Sequence, residues 1–191
     1  MSLRIGIFLV MAILGAGGAF GVRSGTFGGP PRGVHLSADG TEITISGRFE
    51  PGLEKKFRET LDRSHARRVR LNSGGGYVEV AGAIRNDIAE ARLDTFVDSL
   101  CASACTIAFL AGQRRIVTHN SRLGFHRFSR RGRDTGVGEP MLMRYYWVAG
   151  IAQGFIDRVA ITPPEEVWYP TIEEMRAASV ITEVLPKKGW W

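Results

Sequence analysis

The stretch SLCASACTIAFLAGQRRIVTHNSRLGFHRF, residues 99–128, contains a serine and a histidine within two apolar segments. Ser103 stands between two cysteines at the start of the first segment, and His126 ends the second. A serine hydroxyl is a weak nucleophile until a base removes its proton, and histidine is the most frequent base. The stretch therefore makes a serine–histidine pair the first functional hypothesis.

The first apolar segment predicts a helix over residues 102–111 that ends before Gly112. Ser103 would begin this helix between the small residues Ala102 and Ala104, which leave room for a substrate. The N–H groups of the first helical turn, including that of Ala104, would point to where an oxyanion forms. The simpler alternative is that Ser103 is only a helix cap.

The second apolar segment predicts two short strands, at Ile116-Val117 and at Leu123–Phe125. His126 follows the second strand directly, which would place its ring at a strand end facing a cleft. His119, in a turn between the two strands, is the only competitor for the role of base. The two remaining histidines stand in polar surroundings typical of exposed positions.

Upstream, a predicted strand through Val69 and Leu71 runs into the segment Ser73-Gly74-Gly75-Gly76, here called the glycine loop. An amphipathic helix is predicted directly after it, over residues 77–91. Such a junction presents backbone N–H groups at the positive end of a helix. The loop is therefore either a cradle for an anion or oxyanion, or a tight turn that uses the conformational freedom of glycine. The sequence has no Gly-Lys-Ser/Thr after the loop, which argues against nucleotide binding.

The rest of the chain alternates strands and helices. Further strands are predicted at residues 41–47, 93–97 and 180–185, and further helices at residues 51–64 and 141–159. Thr171 and Glu174 have the spacing of a capping box that begins a last short helix. This alternation predicts an α/β domain with parallel or mixed strand pairs.

The N-terminus has the pattern of a secretory leader. An arginine precedes the uncharged, largely apolar residues 5–22, and Gly17-Gly18-Ala19 is a plausible cleavage site. The stretch is also long enough for membrane attachment as an uncleaved anchor. Residues 1–22 are thus a predicted signal peptide or N-terminal anchor, followed by a Gly- and Pro-rich linker at 23–33 and a folded domain at 34–191. Both alternatives place the domain in the periplasm or outside the cell.

The composition argues against several classes of function. The formal net charge is +6, but the arginines lack the interleaved aromatic residues of a nucleic-acid surface, so no nucleic-acid partner is expected.

Cys101 and Cys105 are the only cysteines, and no second cysteine pair or histidine cluster offers ligand spacing, so no metal site is expected. In an oxidising compartment the two cysteines are candidates for a disulfide, the alternative being two small buried thiols.

Four motifs follow one another in the chain: LNSGGG before a helix, CASAC before FLAG, then LGFHRF, then YPTIEEMRAASVIT. Together they resemble the proteolytic-subunit family of Clp protease (ClpP), within the crotonase-like superfamily, and in particular its small exported relatives. The resemblance covers roughly residues 41–185. It implies an α/β fold, a spiral of repeated β-β-α units, with no cofactor and with assembly into a homo-oligomer.

The resemblance also implies roles for individual residues. Ser103 would be the nucleophile and His126 the general base, and the N–H groups of Gly75 and Ala104 would be the oxyanion donors. The family's third catalytic residue is an acid that orients the histidine, and here Thr162 occupies the expected slot. Loss of the acid in a triad of this kind can reduce turnover by about 10⁴.

The leading hypothesis from the sequence is an exported serine peptidase that hydrolyses peptide bonds of a peptide or protein substrate through an acyl-enzyme. The alternative is a catalytically weak or inactive module that binds peptides or assembles on the same fold. Acyl-thioester chemistry ranks last, because it needs a nucleotide-bearing acyl carrier that is scarce outside the cytoplasm.

Overall fold

The computed structural model describes residues 32–128 and 140–186. The predicted leader or anchor at 1–22 lies outside the described residues, as does the predicted linker up to residue 31. Within the two described ranges, every helix is too short or too polar to cross a membrane.

Strands and helices are interspersed along the described residues, as the sequence predicts. In chain order they are β1 (Gly33–Leu36), β2 (Glu42–Ser46), α1 (Leu53–Asp62), β3 (Arg68–Asn72), α2 (Val78–Glu90), β4 (Asp94–Val97), β5 (Leu100–Ala102), α3 (Ala104–Phe109), β6 (Arg115–Thr118), β7 (Arg122–Gly124), α4 (Pro140–Val148), α5 (Gln153–Ile161), α6 (Ile172–Ala177) and β8 (Glu183–Leu185). The predicted α/β class is confirmed.

Two sheets organise the domain. The larger has the strand order β1-β2-β3-β4-β6-β8, with β1 antiparallel to β2 and every later pair parallel. The smaller consists of β5 and β7, which are also parallel, with Ala102 opposite Gly124. Parallel neighbours need a crossover connection, and α1 and α2 supply it between β2, β3 and β4.

The core packs residues of the large sheet together with buried residues of helices α1 to α6. Alternate strand residues point into it, including the fully buried Ile43, Ile45, Val69 and Leu71. Since successive side chains of a strand face opposite sides, this alternation fixes which face of the sheet the helices cover. Helix α3 is the most enclosed element, because all six of its residues are buried.

The start of the predicted helix at 102–111 is wrong. Residues Leu100–Ala102 form strand β5, and α3 begins only at Ala104. The backbone of this short segment is held on both sides: Ala102 N–H donates to Ser73 O at 2.9 Å, and Ala102 lies opposite Gly124 in β7. These long-range hydrogen bonds override the helical appearance of a run of small residues.

The single helix predicted at 141–159 is also wrong. The chain forms α4 and α5 instead, and Gly150 between them has a φ of 74°, a left-handed conformation that ends α4. Ile151 N–H then donates to Tyr146 O at 3.1 Å, which closes the helix end. Apolar residues continue at helical spacing through the break, so periodicity alone does not reveal it.

The beginning of the last helix is predicted correctly. Thr171 Oγ1 accepts from Glu174 N–H at 3.1 Å, and Glu174 Oε2 accepts from Thr171 N–H at 2.7 Å. This reciprocal pair is a complete capping box, so α6 begins where the Thr-x-x-Glu spacing predicts.

Candidate active site at the Ser103 turn

The two sheets bring three functional segments to one edge. Ser73, which directly follows β3, pairs in parallel with Cys101 of β5, and β5 pairs in parallel with β7. The glycine loop, Ser103 and His126 lie just beyond the carboxyl ends of β3, β5 and β7, respectively. Carboxyl edges of parallel strands are where α/β proteins commonly bind ligands.

Ser103 occupies a strained turn between β5 and α3. Its φ is 55° and its ψ is −129°, a combination that residues with a Cβ rarely adopt. Three hydrogen bonds hold the turn. Ser103 N–H donates to Gly124 O at 2.9 Å, and Ser103 O accepts from both the N–H and the Oγ1 of Thr106, at 2.9 and 2.7 Å.

The Ser103 hydroxyl does not cap α3, although Ser103 stands at the N-cap position. A capping serine would accept a hydrogen bond from an N–H of the first turn, and none is made here. The side chain is partly exposed. The hydroxyl is therefore available for other chemistry.

Gly75 packs directly against this turn. It has a φ of 103°, and a Cβ placed on it would lie 2.7 Å from Ser103 Cβ and 3.1 Å from Ala104 N. The same Cβ would lie 2.8 Å from Ala102 O, and real Cβ atoms make essentially no contacts under 3.0 Å, so only glycine fits. The structure thus places Gly75 beside both Ser103 and the backbone nitrogen of Ala104, the other predicted oxyanion donor.

The amide of Gly75 has a partner that the sequence analysis missed. Gly75 N–H donates to Ser73 Oγ at 3.0 Å, and Ser73 is buried. On the other side, Gly75 O accepts from Phe49 N–H at 2.9 Å. A serine two residues before a glycine is typical of such a turn, which is the signal that could have revealed it. An oxyanion would take over this N–H from Ser73.

His126 is partly buried just beyond β7. Its Nδ1 lies 2.8 Å from Arg127 O. Because a carbonyl oxygen only accepts, Nδ1 carries the proton in this contact, so in the neutral imidazole the lone pair is on Nε2. No hydrogen bond joins His126 to Ser103 in the part of the chain that the structure describes.

Thr162 supports the histidine segment through its backbone. Arg127 N–H donates to Thr162 O at 2.9 Å, whereas the Thr162 hydroxyl donates back to Arg158 O at 2.8 Å. Across residues 32–128 and 140–186, no carboxylate forms a hydrogen bond or an ion pair with His126. The imidazole therefore takes its orientation from a neutral carbonyl.

Cys101 and Cys105 form a disulfide in the structure, with their Cα atoms 5.3 Å apart. Cys101 belongs to β5 and Cys105 to the first turn of α3, so the bond spans the Ser103 turn. Both cysteines are fully buried. The covalent link restrains the backbone on the two sides of the serine.

An aromatic cluster packs next to α3 and next to the segment that carries His126. Tyr146 is fully buried, and its hydroxyl is 3.3 Å from Thr106 Oγ1 in α3. Burial raises the pKa of the Tyr146 phenol, so this hydroxyl stays protonated and able to donate. Phe125, next to His126, packs edge-on against Phe155, with ring centroids 5.0 Å apart. Sequence patterns alone did not connect α4 and α5 to the site.

Among the described residues, no group of three or more His, Cys, Asp or Glu side chains could hold a metal ion.

Neither a protein-family model nor a curated protein matches the chain. Among solved structures, it is similar to ClpP1 from Listeria monocytogenes, with a TM-score of 0.61 and 16% sequence identity. It is also similar to a point mutant of that ClpP1, with a TM-score of 0.60 and 17% identity. Each comparison covers 78% of this chain and 94% of the ClpP1 chain. The protein therefore has an α/β fold of the ClpP/crotonase-like type.

Proposed function

We propose that the protein is a serine hydrolase that cleaves peptide bonds through an acyl-enzyme, with Ser103 as nucleophile and His126 as base. One observation supports this most strongly. Ser103 stands in a strained turn, its hydroxyl makes no cap, and Gly75 packs against it beside the amide of Ala104. A nucleophile beside two backbone amides is the arrangement that acyl transfer requires.

In the proposed reaction, Ser103 Oγ attacks the carbonyl carbon of a peptide bond while His126 Nε2 accepts the hydroxyl proton. The N–H groups of Gly75 and Ala104 donate to the oxyanion of the tetrahedral intermediate. The C–N bond then breaks, and the leaving amine takes the proton from His126. Water attacks the resulting ester, gives a proton to His126, and releases the acid as Ser103 regains its proton.

A triad carboxylate both fixes the tautomer of the histidine and stabilises its positive charge, and the carbonyl of Arg127 does only the first. It selects the tautomer with the lone pair on Nε2, as a base requires. It provides no negative charge to stabilise the imidazolium that forms after proton transfer. We therefore expect acylation that is measurable but slower than in an enzyme with a complete triad.

The second candidate is a module that binds peptides with little or no turnover. It is favoured by the absence of a Ser103–His126 hydrogen bond within the described residues. Hydrogen bonds of this kind are often long in enzymes without substrate and tighten only in the complex. The first candidate therefore remains the better supported.

Export through residues 1–22 and a periplasmic or secreted location are part of the proposal, with membrane attachment through residues 5–22 as the alternative to cleavage. The leader pattern supports export. The buried disulfide also suits an oxidising compartment.

A homo-oligomer is proposed as well. Trp147 and Val148 at the end of α4 expose 49% and 61% of their surface, and Ile161 at the end of α5 exposes 67%. Trp147 and Val148 are adjacent in the chain, and exposed apolar side chains that form a contiguous patch suit a subunit contact.

Peptide hydrolysis by wild-type protein, Ser103→Ala and His126→Ala separates the two candidate functions. A hydrolase loses turnover in both variants. A binding module shows no turnover in any of the three proteins, but retains peptide affinity when Ser103 is replaced.

A further inference from the structure

A charged cleft adjoins the glycine loop. The segment at 47–49 runs beside the loop, with Gly47 N–H donating to Asn72 O at 3.1 Å and Phe49 N–H donating to Gly75 O at 2.9 Å. Successive side chains of an extended segment point in opposite directions. Because Phe49 is fully buried, its neighbour Arg48 faces outward. Between this segment, the start of α1 and Gly74 lies a cavity of about 500 Å³, here called the basic cleft.

The lining of the basic cleft is predominantly cationic. Among the residues that the structure describes, the charged side chains of the lining are Arg32, Arg48, Lys56 and Glu50. The Arg48 Nε and Glu50 Oε1 atoms are 4.0 Å apart, with both side chains about two-thirds exposed, at 68% and 67%. An exposed pair at this distance is worth little, so it leaves Arg48 available to another anion. The nearby Glu54 is turned to Gly52 N–H, at 3.0 Å.

The cleft reaches the glycine loop at Gly74. Gly74 lines it, and no atom lies within 4 Å of the position that a Cβ on Gly74 would take. The next residue, Gly75, is the one packed against Ser103. An extended chain that passes over the open face of Gly74 would therefore reach the nucleophile at one end and the cationic lining at the other.

We propose that the basic cleft is a substrate subsite for a peptide carboxylate, either an acidic side chain or the C-terminal carboxylate. This inference rests on the proposed function in so far as it places a peptide at Ser103. Guanidinium and ammonium groups are the donors that recognise a carboxylate. Three cations against one weakly paired acid attract such a group and repel a basic one.

Peptide binding to the full-length chain carrying Ser103→Ala tests the subsite without requiring turnover. The probes are four fluorescein-labelled peptides of one otherwise neutral sequence, with Glu or Gln at a single position and a free or amidated C-terminus. Fluorescence anisotropy at low salt should show at least about fivefold tighter binding for one of the carboxylate-bearing peptides than for the amidated Gln peptide. The peptide that gains affinity identifies the source of the carboxylate.

Charge reversal then locates the site. Arg48→Glu combined with Lys56→Glu should abolish the preference for the carboxylate and leave the affinity of the amidated Gln peptide within about twofold. Lys55→Glu is the matched control, since Lys55 is 79% exposed on the same helix and does not line the cleft. Lys55→Glu should change the affinity of each peptide by less than about twofold.

Equal affinities of all four peptides, absence of binding, or an equal loss in the control would overturn the subsite. Because the assay uses Ser103→Ala, failure of the proposed catalysis leaves its result unchanged. Conversely, loss of the carboxylate preference leaves covalent labelling of Ser103 in the wild-type protein unaffected, so the two failures are distinguishable.

Discussion

Gly75 and Ser103 are packed so closely that a Cβ on Gly75 would lie 2.7 Å from the Cβ of Ser103. The glycine loop and the serine turn are thus one structural unit, although their residues are distant in sequence. A side chain at position 75 must displace either the loop amide or the serine, and both displacements disturb the proposed oxyanion site.

Gly75→Ala should therefore reduce the acylation rate by about 10²–10³, the usual cost of one lost oxyanion donor. The strain of an alanine at a φ of 103° adds a loss of stability. Stopped-flow acylation by a p-nitrophenyl ester measures the first effect, and thermal unfolding measures the second.

Gly74→Ala is the matched control. Gly74 has no atom within 4 Å of its Cβ position and is not among the glycines with positive φ. With the small p-nitrophenyl ester, which need not extend over Gly74 into the basic cleft, we expect its acylation rate and melting temperature to stay close to those of the wild type. Equal losses at positions 74 and 75 would contradict the packing argument.

His126→Ala should lower the acylation rate by about 10³–10⁴, because the serine then has no base. His119→Ala should leave the rate unchanged, since His119 is exposed in the turn between β6 and β7. The ester assay applied to both variants decides which histidine is used. A larger loss in the His119 variant would reject the proposed assignment.

The Cys101–Cys105 bond closes a short loop, so it should contribute about 2 kcal/mol or less to stability. The Cys101→Ala/Cys105→Ala double variant should unfold a few degrees lower while losing a larger share of its acylation rate, because the backbone around Ser103 is released. Calorimetry and the ester assay on the same samples give the two values.

Mass determination before and after denaturation, reduction and alkylation checks the bond directly. The oxidised protein should resist alkylation until it is reduced. Free thiols in protein that has been denatured but not reduced would contradict the disulfide.

Val148→Glu tests the proposed subunit contact. Val148 is 61% exposed, so a charge there should leave the fold intact while opposing burial against another subunit. Analytical ultracentrifugation should show an oligomer for the wild type and a smaller species for the variant, with similar melting temperatures. A monomeric wild type at high concentration would contradict a homo-oligomer.

The sequence was sufficient where the determinants are local. Alternation at Ile43 and Ile45 identifies β2, and the Thr171–Glu174 capping box identifies the start of α6. The helix after the glycine loop and the strand before it were predicted for the same reason. Periodicity and capping depend on neighbouring residues, so they can be read without knowing the fold.

The sequence does not predict structural features that depend on contacts between residues far apart in the chain. Strand β5 exists because Ala102 bonds to Ser73 and pairs with Gly124, which no local pattern contains. The partner of His126 is a backbone carbonyl, and any residue at position 127 would carry one. The close approach of Gly75 to Ser103 likewise depends on how two strands are paired.

Active-site labelling tests the central claim most directly. A fluorophosphonate probe phosphonylates a serine only when the hydroxyl is activated, and peptide mass spectrometry locates the adduct. We predict one adduct, on Ser103, in folded wild-type protein, and none in Ser103→Ala or in heat-denatured wild type. Equal labelling of wild type and Ser103→Ala, or no labelling of the folded wild-type protein, would contradict a nucleophilic Ser103.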